Sequence, residues 1–322
     1  MPGLTKTDRI TILKTLLKIR RFEEKTIQLY QTGKIWGYLH PYLGEEAVAS
    51  GACQAIKKDD YIVSTHRGHG HCIAKGGDLN KMMAELLGKS TGYCKGRGGS
   101  MHIADTHLKI LGANGIVGGG IPISVGAGFS CKLEGRGRVV LCFFGDGAAN
   151  NGVFHESLNM ASVFKLPVIY ICENNLYAIS MCSKDSVACE DVADRSDSYS
   201  MPGIIVDGTD PEQIFKAVSD AARGARKGRG PSLIEAKTYR FTGHHPNDPA
   251  EYRKKEEADY YKSEKDPVTN YTQKLIKEKV VTKKQVQDID REITDSVEES
   301  VKFAEQSPEP DLEQFLEEVK HI

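Results

Sequence analysis

Two short polar motifs stand where a buried sheet would present them together. Gly145-Asp146-Gly147 follows the apolar run Val139–Phe144, and Glu173-Asn174-Asn175 follows a second apolar run, Val168–Cys172. Unbroken apolar runs of that length suit strands buried on both faces. Each motif then sits at the carboxyl end of a strand, where open α/β sheets bind their ligands. Between Gly147 and Asn174 lie 26 residues, room for one helix and one strand. The two motifs would therefore stand side by side on one edge. A carboxylate beside an amide carbonyl oxygen suits a hard cation such as Mg²⁺. That ion keeps a partial protein shell and completes it with phosphate oxygens and water. The pair predicts a phosphorylated ligand held through a metal. Each motif alone is also a good turn former, but two turns at matched positions would be a coincidence.

Other candidates are weaker. Leu87-Gly88-Lys89-Ser90 resembles the end of a phosphate-binding P-loop, yet Met83 stands where that motif needs its first glycine, and the preceding segment reads as a helix. No GxGxxG follows an expected strand, so a dinucleotide site is not supported. His66, His69 and His71 crowd one glycine-rich loop. On an extended segment His69 and His71 would share a face, which also fits a metal cluster; phosphate and substrate contacts are the favoured use. His102 and His155 fit structural roles as well as site roles, and His321 is terminal. The eight cysteines contain no CxxC pair and no zinc-type Cys/His set. Cys142 and Cys172 lie inside apolar runs and read as core residues.

The elements that must position these groups follow from periodicity. Ile10, Leu13, Leu16, Leu17, Ile19 and Phe22 recur at helical spacing, so the first 32 residues read as a helix. Tyr61–Val63 is a short strand, Leu79–Leu87 a short helix, and 88–120 a long glycine-rich binding loop. Helices over Pro122–Leu133, Val153–Val163 and Gln213–Arg226 alternate with the two apolar strands and with strands at Ile204–Val206 and Ser232–Ala236. That alternation indicates βαβ units and a mainly parallel sheet. Beyond Gly243 the chain is charge-rich, with Ile289, Ile293, Val297 and Val301 forming a helical stripe, then a break at Ser307-Pro308 and a last helix over Leu312–Val319.

Composition narrows the class. With 322 residues, a net charge of −1 and 39% hydrophobic residues, the chain reads as globular. It lacks the basic excess expected of a nucleic-acid or acidic-membrane binder. No apolar run reaches the roughly 18 residues of a membrane helix. The first residues carry no apolar signal core, so a cytoplasmic location is expected. Of 32 glycines, 22 lie between Gly51 and Gly152. Such density marks either loops or a backbone that approaches a ligand closely.

GDG, about 26 residues, then NN is similar to the thiamine-diphosphate-binding motif, and further blocks match in order. They are GYLHPYLGEEA (37–47), THRGHGH (65–71), KGRGGSMH (95–102), GANGIVGGGIP (112–122), FFGDGAANNG (143–152), ICENNLYAIS (171–180) and TYRFTGHH (238–245). From about residue 8 to 319 the chain resembles the alpha subunit of the thiamine-dependent first component of 2-oxoacid or acetoin dehydrogenase complexes. The resemblance implies a doubly wound α/β fold: a mainly parallel sheet with helices on both faces, plus helical extensions at each end. A single domain over 1–322 is expected, with an N-terminal extension to residue 50, a cofactor-binding core over 51–243, and an active-site loop with C-terminal helices from 244.

The resemblance also implies site roles. Asp146, Asn175 and the Tyr177 carbonyl would ligate Mg²⁺. Gly147 and Ala148 would contact the diphosphate through backbone atoms, with Arg67 and His66 donating to it. Gly115 and Val117 would approach the aminopyrimidine ring, and Ile179 would hold the cofactor bent. His244 would lie on a mobile loop over the cofactor, supported by Arg240. His244 and His69 are the expected catalytic histidines, and His40 would lie towards the substrate. Many relatives have Tyr where this chain has His66, which resembles the acetoin-type members. His245 replaces the regulatory serine of mitochondrial pyruvate relatives, so kinase control there is not expected.

The implied activity is cleavage of acetoin, or decarboxylation of a 2-oxo acid such as pyruvate, with the acyl group passed to the lipoyl arm of an acyltransferase component. Thiamine diphosphate would supply the carbanion chemistry. In the family the glutamate that activates the cofactor comes from a beta subunit, so an α₂β₂ assembly is expected. A non-catalytic paralogue is the alternative of another class; the intact Asp146, Asn175, Arg67 and His244 argue against it.

Overall fold

The computed structural model describes residues 3–320, so His321 lies outside the described residues. The first helix, α1 (Lys6–Gln31), opens at a capping box in which Thr5 and Asp8 satisfy each other's backbone N–H groups. Its buried stripe, Ile12 to Leu29, faces the body of the molecule. Then follow α2 (Glu46–Gln54), β1 (Tyr61–Val63), α3 (Gly68–Ala74), α4 (Leu79–Leu86), α5 (Gly120–Glu134), β2 (Val140–Gly145), α6 (Gly152–Val163) and β3 (Val168–Asn174). A hairpin of β4 (Tyr177–Ala178) and β5 (Met181–Cys182) leads to the short α7 (Ser183–Ser186), then β6 (Gly203–Asp207), α8 (Pro211–Arg226) and β7 (Ser232–Lys237). The chain ends in α9 (Lys255–Glu264), α10 (Pro267–Lys277), α11 (Lys283–Gln306) and α12 (Leu312–Val319).

Five strands form one wholly parallel sheet in the order β1-β2-β3-β7-β6. Side chains alternate between its faces, as strand geometry requires. Leu141, Phe143, Ile169, Ile171 and Ile234 pack on one side with residues of α1, α2, α4, α8 and α11. Val140, Cys142, Phe144, Val168, Tyr170 and Cys172 pack on the other with residues of α5 and α6. Helices thus cover both faces, the doubly wound α/β arrangement that the family resemblance implies. The stripe on α11 packs back on the body: Val297 and Val301 join the first of these clusters, and Ile293 packs with Leu13 and Leu16 of α1. Among the described residues no helix is long and apolar enough to cross a membrane.

Two short helices depart from the sequence reading. Glu46–Gln54 is helical where the sequence shows no helical period, and Gly68–Ala74 is helical where the glycines read as a loop. Both are buried nearly all round, so they carry no polar face to give a period. In a helix, His69 and His71 point about 200° apart rather than to one face.

Candidate active site

The sheet register brings the two motifs together. Gly145 pairs with Glu173 across β2 and β3, so Asp146 and Asn175 leave the same edge. Above them lies a cavity of about 240 Å³. Its floor is Gly145 to Ala148, Glu173, Asn175 and Tyr177. Its walls come from Thr65 to Arg67, from Ile116 to Gly118, from the β4–β5 hairpin, and from Arg240 and His244.

Asp146 heads a 3₁₀ turn, Asp146–Asn150, directly after β2. It is 2% exposed, and its Oδ2 has no hydrogen-bond partner. A buried carboxylate oxygen without a partner is costly. Burial pushes the carboxyl up to about 6, although backbone N–H groups and Arg240 pull the other way. Asn175 donates from Nδ2 to Glu45 Oε1 at 3.1 Å, which fixes the amide plane. Arg240 donates to the carbonyls of Tyr177 (3.3 Å) and Ile179 (3.0 Å), fixing the hairpin that carries them. Carboxylate, amide oxygen and carbonyl form an oxygen-only donor set, the kind a hard divalent cation takes. The orphaned Asp146 oxygen shows that such a cation fits this floor.

The same floor can receive a phosphate group. A Cβ on Gly147 would stand 2.6 Å from the Ala178 Cβ, so only glycine lets the turn pass beneath the hairpin. Arg67 is 3% exposed and gives its donors to carbonyl oxygens, Pro41 O at 2.8 Å and His244 O at 2.9 Å. A buried guanidinium paired with carbonyls and a neutral ring nitrogen, His244 Nδ1 at 3.3 Å, keeps its charge available to an anion. Burial and Arg240 lower it to about 10, which leaves it charged at neutral pH. The hairpin tip is strained: Ile179 has φ 53°, rare for a β-branched residue, and its side chain is 61% exposed beside the cavity.

Three histidines meet at the mouth. The His40 ring lies 4.7 Å from that of His66 and 4.8 Å from that of His244, centroid to centroid. Burial first, then the Arg67 charge, lowers them to about 3 (His40), 2 (His66) and 4 (His244), so all are neutral near pH 7. The His244 loop is held by Asp248, which accepts from the His244 N–H at 2.5 Å and from the Tyr252 hydroxyl at 2.7 Å.

Of the residues expected at the site, His66, Arg67, Val117, Asp146, Gly147, Ala148, Asn175, Tyr177, Ile179, Arg240 and His244 line this cavity. Gly115 does not, although its neighbours Asn114 and Ile116 do. His69 is placed elsewhere. It is fully buried, with Nδ1 3.1 Å from the Glu23 carboxylate and Nε2 2.9 Å from Ser100 Oγ, so neither nitrogen is free to serve the cavity. His71 also points away from the mouth. It bridges Ser64 Oγ (2.8 Å) and Glu173 Oε1 (3.0 Å), while the Tyr42 hydroxyl donates to the same carboxylate oxygen. His102 and His155 make local bonds, to Gly98 O and to the Tyr199 hydroxyl. Lys89 and Ser90 of the P-loop-like stretch follow α4 and meet Glu309 and Pro308, not a strand end.

Sequence reasoning missed Glu45 and gave Glu173, although it stands in a named motif, no role of its own. Both are buried at the floor, and burial together with Glu173 pushes Glu45 up to about 8. The available signal was a glutamate inside an apolar context at each place, Leu43-Gly44-Glu45 and Ile171-Cys172-Glu173.

The family model described as "Dehydrogenase E1 component" matches residues 14–313. The chain belongs to the dehydrogenase E1 component family. Similar curated proteins cover almost the whole of this E1 chain. The alpha subunit of acetoin:2,6-dichlorophenolindophenol oxidoreductase from Bacillus subtilis is 46% identical over 98% of this chain and 95% of its own length. The subunit of that name from Cupriavidus necator is 42% identical with the same coverage. The pyruvate dehydrogenase E1 component subunit alpha of Rhizobium meliloti is 40% identical over 98% of this chain and 90% of its own. In this family setting the chain is a subunit of a dehydrogenase.

Proposed function

We propose that this chain is the alpha subunit of a thiamine-diphosphate-dependent dehydrogenase that cleaves acetoin and passes the acetyl group to a lipoyl carrier. The observation that carries the reading is the cavity floor. An unpaired, buried Asp146 carboxylate stands there beside Asn175 and the Tyr177 carbonyl, with Arg67 across from them. Asp146, Asn175 and Tyr177 O would hold Mg²⁺. Arg67, His66 and the backbone of Gly147 and Ala148 would take the diphosphate. Val117 and the adjoining Gly115 would face the pyrimidine, and Ile179 would wedge between the two rings. Thiamine diphosphate, when bound, supplies the carbanion that attacks the substrate carbonyl.

The chain's own residues orient and shield. Arg240 holds the hairpin, and the neutral His244 can donate or accept one proton at the substrate oxygen, over a site its loop covers. The described elements work as one α/β unit, with helical extensions up to residue 50 and beyond 244. A beta subunit completes the site in an α₂β₂ assembly, which docks on a lipoyl-bearing acyltransferase.

Acetoin is favoured because the 46% and 42% identical relatives carry that substrate in their names. Pyruvate is the second reading, favoured by the relative at 40%. The test is reconstitution with the cognate beta subunit and a rate comparison of acetoin, pyruvate and 2-oxoisovalerate. We expect the highest kcat/KM with acetoin and no robust turnover by the chain alone. Preference for pyruvate would move the assignment to the second reading. No turnover of any of the three, with the complex assembled and the cofactor bound, would make the chain a non-catalytic paralogue.

A further inference from the structure

We propose that His40, His66 and His244 form a second cation site at the mouth of the cavity, one that takes a borderline transition metal such as Zn²⁺. The three rings come from separate segments: the loop before α2, the turn between β1 and α3, and the loop after β7. Each offers a ring nitrogen, and the three nitrogens all lie within 4.8 Å of one another. A tetrahedral Zn²⁺ shell with bonds of about 2.0–2.1 Å puts ligand nitrogens roughly 3.4 Å apart. The widest pair must therefore close by at most roughly 1.4 Å.

Independent features point the same way. His40 is only 6% exposed, and its Nδ1 is buried without a partner. A buried polar atom left unpaired in a cluster of like donors is what a missing ligand leaves behind. The donor set is imidazole alone, which selects Zn²⁺, Co²⁺ or Ni²⁺ over Mg²⁺. The oxygen set of Asp146, Asn175 and Tyr177 has the opposite preference. One cavity thus carries two cation sites of different hardness.

Arg67 works against the site. Its Nη2 stands 3.3 Å from His244 Nδ1, competes for that nitrogen and repels a dication. The affinity is therefore below that of a structural zinc centre. A bound metal ties the His244 loop across the mouth to His40 and His66, so it acts as a reversible block on substrate access.

The experiment is a Co²⁺ titration of the full-length chain in excess Mg²⁺, without cofactor or substrate, followed by visible absorption. The expected result is one Co²⁺ per chain, with the d–d bands of imidazole coordination, no thiolate charge-transfer band, and displacement by Zn²⁺. His40→Phe and His66→Phe should each weaken binding by about 100-fold. His107→Phe, at an exposed position, should leave it unchanged. Circular dichroism checks that each variant folds, and if one fails the other decides. Absent binding, a thiolate band, or wild-type affinity in a folded His40 or His66 variant would overturn the proposal. Because neither cofactor nor substrate is used, that failure would leave the proposed activity standing.

Discussion

Replacing Asp146 with Asn should stabilise the metal-free chain while removing its response to Mg²⁺. Folding takes the Asp146 carboxyl from the ordinary 3.8 up to about 6, chiefly because burial disfavours the charged form. An acid whose folded value is raised costs stability wherever it must be ionised in the folded state. The cost is absent below about pH 3.8, grows through the interval up to 6, and is complete above it. A shift of about two units corresponds to roughly 3 kcal/mol above pH 7, and to about half that at pH 5. Asn keeps the size of Asp and exchanges one unpaired buried atom for another, so the charge effect is what remains. For a chain of this length roughly 3 kcal/mol is about 4 °C in melting temperature. The assay is thermal unfolding of both proteins at pH 8 and pH 5, with EDTA and then with Mg²⁺ and thiamine diphosphate. With EDTA the variant should melt higher at pH 8, with a smaller gap at pH 5. With both ligands the wild type should rise and the variant should not. A variant that melts lower with EDTA at pH 8, or gains as much from Mg²⁺ as the wild type, would refute the reasoning.

Three other perturbations test separate parts of the site. Ile179→Gly releases a left-handed conformation that costs an L-residue roughly 1–2 kcal/mol, against about 0.5–1 kcal/mol of added backbone entropy. The melting temperature should hold or rise slightly while calorimetric affinity for thiamine diphosphate falls; unchanged affinity would remove Ile179 from the cofactor's surroundings. Arg67→Lys replaces a planar fork by a point charge, so affinity for inorganic diphosphate should drop by about 10-fold or more in a binding titration; equal affinity would place the anion elsewhere. His71→Phe strips one donor from the buried Glu173 carboxylate, a loss of about 1–3 kcal/mol in urea unfolding; a neutral result would mean that the Tyr42 hydroxyl suffices alone.

How much of this was legible in the sequence depended on whether a signal was local. The strands β2 and β3 were readable because they are buried on both faces, which leaves continuous apolar runs, and the glycine-flanked Asp146 marked where one ends. Their lateral order followed from the 26-residue spacing. The His69 placement was not readable, because it depends on Glu23 from α1 and Ser100 from the long loop, partners 46 and 31 residues away. The helical turn of Gly68–Ala74 was hidden for a related reason. Two glycines and two histidines in seven residues disfavour a helix intrinsically, and only the enclosure by α1 and α2 makes it form. His40 and His244 meet His66 only because loops as far as 204 residues apart close over one sheet edge, which no spacing rule anticipates.

The exposed apolar side chains complete the reasoning about a partner. Trp36 is 84% exposed, Tyr38 68% and Ile116 74%, and Val117, Ile179 and Met181 are each at least half exposed. Single exposed apolar residues such as Trp36 are ordinary, but the other five belong to the cavity and its surroundings. Ile116, Val117 and Ile179 line it, Met181 follows in the same hairpin, and Tyr38 stacks on His40 at its mouth. The same side holds buried Arg67, the unpaired Asp146 oxygen and three neutral histidines. Open to water, that polar set would be solvated and its charge effects weak; beneath an apolar cover it would be dry and strong. The chain's own loops leave large apolar side chains uncovered at this mouth. A second polypeptide seated on them would bury that surface and exclude water from the site in one step, so assembly and chemistry would be coupled through the same residues.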